Sequence, residues 1–283
     1  MQYFLLATSV LLGTGKNMVS KCAGDKFSGI NNLFATNIIT ALIGIIVFGC
    51  IGFGTGIFKN ALPLLIAVLY GIFTMFSQMF FIKAVEYSAT AVCSLIYSMG
   101  FILPTLFSVI FFKEPFGLQK IIALALMLVA FVCVSNIKGK GVKKLYFAIF
   151  AMLTSGIIGI IQKIIPKTGA DIPISQYLIL AFITMLIISV IGLFITDKGS
   201  DKHKKSPDFI GLSFLMGICV AFANSINIKL AGSMPGVIFF TCLNGGTIIL
   251  SAILSRILFK EKLNNLQKIG IFIGITSIVV MVI

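Results

Sequence analysis

Tryptophan is absent from the 283 residues, histidine occurs once, and only 8 residues are acidic. The single histidine, His203, lies in a lysine-rich stretch, which argues against a histidine-based metal site or proton relay. The six cysteines (Cys22, Cys50, Cys93, Cys133, Cys219 and Cys242) show no C-x-x-C spacing and nearly all fall in apolar runs. They read as small core residues, not as disulfides or metal ligands. H-E-x-x-H, G-x-S-x-G, an acidic metal cluster and a phosphate-binding loop are all missing, so an enzyme is not expected and no cofactor is implied. Charged residues make up only 11% of the chain, against about 25% in an ordinary soluble domain. So few charges could not cover a water-exposed surface.

What is present is long apolar sequence. Hydrophobic residues reach 59% and the mean hydropathy is +1.13. The runs are continuous and do not alternate at period two, so helices are favoured over a barrel. A helix needs about 20 apolar residues to cross a bilayer. Spans are expected near 2–22, 32–52, 61–84, 88–111, 117–136, 144–164, 176–196, 209–231, 235–258 and 266–283. The first run has no basic leader and no small-residue cleavage pattern, so it reads as a span and not as a signal peptide. The expected fold class is therefore an all-α membrane protein with ten transmembrane helices. The formal charge of +14 comes largely from lysines in short loops, a topological signal that gives no reason to expect nucleic acid.

The chain also repeats itself. Thr8-Ser9-x-x-x-Gly13 matches Thr154-Ser155-x-x-x-Gly159, and Ile82-Lys83 matches Ile228-Lys229. Phe112-Lys113-Glu114 matches Phe259-Lys260-Glu261, and Leu118-Gln119-Lys120 matches Leu266-Gln267-Lys268. The matches occur in chain order, at offsets that drift only from 146 to 148. They divide the chain into residues 1–137 and 143–283, five spans each. Five is odd, so the second half enters from the opposite face, giving an inverted-topology repeat.

Five plus five helices, Pro104 within the fourth span and Glu114 closing it resemble the EamA-type branch of the drug/metabolite transporter superfamily. The densest matches run from Leu103-Pro104-Thr105 to Phe112-Lys113-Glu114 and from Asn244-Gly245-Gly246 to Phe259-Lys260-Glu261. The resemblance implies a central cavity between the halves and alternating access. It does not imply a substrate, because that superfamily carries amino acids, sugars, nucleotide sugars, amines and drugs. A bacterial plasma (inner) membrane is the expected location, with membrane lipids and a small-molecule substrate as partners, and a monomer or homodimer as the working unit. Counting lysines by face gives 14 against 6, which predicts both termini outside. The resemblance implies both termini inside.

Polar groups in hydrocarbon face a cavity or another helix. Tyr70, Thr74, Ser77 and Gln78 form one stripe on the third span; Ser94, Tyr97, Ser98, Phe101 and Thr105 form another on the fourth. Asn224 and Asn227 share a face of the eighth span, as do Thr241 and Asn244 on the ninth. The repeat pairs Gln78 with Asn224 and Tyr97 with Asn244. The candidate substrate-binding residues are Lys16, Asn17, Tyr70, Thr74, Gln78, Tyr97, Asn224, Asn227 and Asn244. Lys16 has the neutral Gln162 as its repeat partner. It reads either as a counter-charge for a carboxylate or phosphate, or as a lysine reaching to the nearby interface. None of the acids (Asp25, Glu86, Glu114, Asp171, Asp197, Asp201, Asp208, Glu261) is expected deep in a span. That favours facilitated or exchange transport of a neutral, zwitterionic or anionic metabolite, of the amino acid or organic anion class. A multidrug exporter and a lipid-headgroup flippase are the alternatives.

Overall fold

The structure is a computed structural model and describes residues 1–23, 29–52, 61–87, 93, 96–135, 144–168, 172–196, 207–259 and 264–283. Ten α-helices are described: α1 (Gln2–Ala23), α2 (Ile30–Gly52), α3 (Ala61–Tyr87), α4 (Ile102–Phe112), α5 (Leu118–Ser135), α6 (Tyr146–Thr168), α7 (Ile174–Thr196), α8 (Pro207–Ser233), α9 (Gly236–Phe259) and α10 (Asn265–Val282). No strand occurs among the described residues. Seven helices, α2, α3 and α6 to α10, are long and apolar enough to cross a membrane; Ile96–Phe112 and Leu118–Val134 are shorter apolar helices. The first helix has 22 residues but is broken up by Ser9, Thr14, Lys16, Asn17 and Ser20, which gives it a polar side.

Most expected boundaries agree with the helices to within a few residues, but the fourth span differs. A single helix over 88–111 is expected, yet a 3-10 turn at Met99–Phe101 precedes α4. Proline has no N–H, so Pro104 cannot donate to the carbonyl four residues back, at Gly100, and the chain tightens there. Residues 88–92, 94 and 95, also assigned to that span, lie outside the described residues.

The helices pack in a pattern with two-fold character. Helix α1 lies on α8, α3 on α6, α2 on α7 and α5 on α10. Each of these pairings survives exchange of every helix for its counterpart in the other half, and so does the pair of contacts α1 on α9 and α6 on α4. One apolar cluster contains Phe48, Tyr70, Phe182 and Met185; a second contains Phe101, Met127, Phe131 and Phe240, and a smaller third contains Phe81 and Ala148. Helices in lipid gain little from removing apolar surface from water, so close contact and interhelical hydrogen bonds hold them together. The α5–α10 seam has both: Ser277 Oγ donates to the Ala123 carbonyl at 2.6 Å and Gln119 Nε2 to that of Val280 at 2.9 Å. Where the 3-10 turn meets α6, a Cβ on Gly100 would sit 2.6 Å from the Met152 carbonyl oxygen, and one on Gly156 would sit 2.9 Å from that of Gly100. Only glycine permits that approach. The outer surface is apolar: Phe194 is 75% exposed and Phe272 72%. Such a surface suits hydrocarbon and is unusual in water.

Candidate functional site

A cavity of about 170 Å³ lies between the halves. Its walls come from α1, α3 and the start of the α4 segment in the first half, and from their counterparts α6, α8 and α9 in the second. The pairs α2/α7 and α5/α10 contribute nothing to the lining and stand outside as supports.

Eight of the nine expected site residues surround this space: Lys16, Asn17, Thr74, Gln78, Tyr97, Asn224, Asn227 and Asn244. The repeat pairs Gln78/Asn224 and Tyr97/Asn244 therefore both face it. Tyr70 does not. It is buried behind the wall, where its hydroxyl accepts a hydrogen bond from Gln162 Nε2 at 2.9 Å. Gln162 is the lining residue, and Tyr70 acts through it. Ser94 lies outside the described residues. Thr105 and Thr241, from the same stripes, are fully buried and do not reach the cavity.

Lys16 is half-buried at one end of the space, its Nζ 5.6 Å from the centroid of the Tyr97 ring. The Tyr97 hydroxyl accepts from Ser77 Oγ at 3.3 Å. Ser9 Oγ donates to Asn227 Oδ1, leaving the Asn227 amide hydrogens for other partners. Asn17 Nδ2 donates to Ser251 Oγ at 3.3 Å, and Asn244 Nδ2 to the Phe240 carbonyl at 2.9 Å. The Asn224 side chain has no hydrogen-bond partner among the described residues. Phe101, Pro104 and Phe240 add an apolar wall. Among the described residues no carboxylate lines the cavity, so Lys16 provides its formal charge. The arrangement can bind an anionic group at the lysine and hydrogen-bond a neutral remainder through amides and hydroxyls. No group of His, Cys, Asp and Glu suited to a metal ion occurs among the described residues.

Several lining residues were absent from the expected set although a signal for them existed. The motif that revealed the repeat also forms the wall: Ser9 and Gly13 line the cavity, and so do their counterparts Ser155 and Gly159. Gln162 follows from Lys16 by the same offset. Lys163 is one of the six lysines on the lysine-poorer face. The structure instead buries it at 3% exposure, ion-paired with Glu114.

The model of the EamA-like transporter family matches residues 2–136 and again 142–283. An uncharacterized protein of Haemophilus influenzae is 27% identical over 210 residues, covering 69% of this chain and 67% of the relative. A protein of known crystal structure superposes with a TM-score of 0.72 over 98% of both chains at 15% identity, a likeness of fold alone.

Proposed function

Because the chain belongs to the EamA-like transporter family and is an integral membrane protein, we propose that it is a secondary transporter of a small polar metabolite carrying a carboxylate. The class is an amino acid or an organic anion. In this reading the ten helices all span, the halves are inverted in topology, and the cavity opens alternately to the two faces of a bacterial plasma membrane. One observation carries the substrate class: a cavity shared by both halves holds Lys16 and, among the described residues, no carboxylate. A cation would find no counter-charge there, while an anion would. The amides of Gln78, Asn224 and Asn227 supply neutral hydrogen bonds. At about 30 Å³ per water the volume holds about six waters, the scale of a small metabolite.

The test is a thermal-stability screen of the purified protein with amino acids, short mono- and dicarboxylates and lipophilic cations, followed by uptake into proteoliposomes. A ligand that binds the folded state raises its melting temperature. Stabilisation by a carboxylate, with uptake lost in Gln78→Leu or Asn224→Leu variants that remain folded, is the expected result. Stabilisation by lipophilic cations alone would favour a multidrug exporter, and full uptake in both variants would move the site elsewhere.

A further inference from the structure

Lys113 ends α4 in the left-handed conformation (φ 51, ψ 37), which turns the chain back on itself. Glu114 N–H then reaches the Ser108 carbonyl at 3.4 Å, and its carboxylate points away from the first half. It meets two groups of the second half, Lys163 and the Gly236 N–H. Lys163 Nζ on α6 lies 2.7 Å from Glu114 Oε1. The same Nζ donates to the Met234 carbonyl at 2.8 Å, and Gly236 N–H at the start of α9 donates to Glu114 Oε2 at 2.6 Å. The side chains of Lys163 and Glu114 are only 4% and 14% exposed. Glycine is required at 236, because a Cβ there would sit 2.7 Å from Ser108 Cβ. The carboxylate also faces the positive end of the α9 dipole.

This cluster lies next to the cavity wall. Lys163 follows directly on Gln162, which lines it. At the same end Gln2 Nε2 donates to the Ser233 carbonyl at 3.2 Å, and Lys167 lies over the Phe112 ring at 3.4 Å. The repeat makes the cluster informative. At the offset of 146, Lys163 corresponds to Asn17, and at 147 Glu114 corresponds to Glu261. Asn17 carries no charge, so the opposite end cannot form the same ion pair through that position. Glu261 itself lies outside the described residues.

We propose that Glu114, Lys163 and the N-terminus of α9 form a one-sided ionic latch between the halves. Opening the Glu114 end parts Glu114 from both Lys163 and the Gly236 N–H, so two charge-assisted bonds are lost together. The latch therefore biases the unloaded protein toward the state closed at the Glu114 end, and a bound substrate must supply the difference through contacts made only when that end opens. This inference rests on the alternating-access reading.

The test uses Cys219, a cavity-lining thiol, as sole cysteine and labels it with a membrane-impermeant maleimide from each face of sealed vesicles without substrate. A separate Gly117→Cys protein identifies the Glu114 face. Lys163→Gln and Glu114→Gln are each expected to speed labelling from the Glu114 face about tenfold or more. Labelling from both faces at rates that folded Lys163→Gln and Glu114→Gln proteins leave unchanged would overturn the latch and leave the transport reading intact. Labelling from one face in every variant would sink the transport reading as well. If neither neutral variant folds, the protein with Cys219 as sole cysteine and no other substitution decides: faster labelling from the face opposite Glu114 supports the latch, and faster labelling from the Glu114 face overturns it.

Discussion

Replacing Lys16 by methionine removes the cavity's formal charge while keeping an unbranched stem of similar length, so packing along α1 changes little. A carboxylate bound at Nζ loses a charge-assisted hydrogen bond, about 1.5–3 kcal/mol. Coulomb attraction at about 4 Å with an effective dielectric near 20 would be larger, about 4 kcal/mol. Lys16 is only half-buried, so water screens part of that attraction, and the lower range applies. At 1.4 kcal/mol per decade this weakens binding by about 10–150-fold. The assay is calorimetric titration of native and Lys16→Met protein with a carboxylate found in the stability screen and with its primary amide. The amide has the same shape and no charge. The acid should lose the full factor and the amide almost nothing. Equal losses for both would mean that the lysine shapes the wall without pairing to substrate. No loss for either would mean that it serves as an interfacial anchor.

Two further outcomes follow from the geometry. Tyr70→Phe leaves the buried Gln162 amide without its acceptor, costing about 1–3 kcal/mol; thermal unfolding should register the loss, and uptake should fall although Tyr70 is not on the cavity wall. Gly100→Ala drives a methyl group against the backbone carbonyl of Met152, which cannot yield as a side chain would, so a cost of about 1–3 kcal/mol is expected. Gly117→Ala is its control, because nothing lies within 4 Å of the added carbon and the melting temperature should hardly move.

Helix identity and the division into halves were legible in the residues because each is a local or periodic property. An apolar run long enough to span needs no tertiary information to be read, and neither does a motif repeated at a near-constant offset. The cavity was largely legible for a related reason: amides placed in apolar helices must face something polar, and the repeat showed which ones correspond. The exceptions required packing. Tyr70 shares the α3 stripe with Thr74 and Gln78, but α6 approaches closely enough to place Gln162 between it and the cavity. Lys163 looks like any lysine near a helix end. Its burial depends on Glu114, about fifty residues earlier, being turned toward it by a left-handed residue that has no glycine to announce it. Composition and periodicity determined that this chain is a two-part bundle of apolar helices. Which polar side chains face the shared space, and which charges pair beside it, was decided only when the two halves packed together, because those contacts join residues that no local pattern connects.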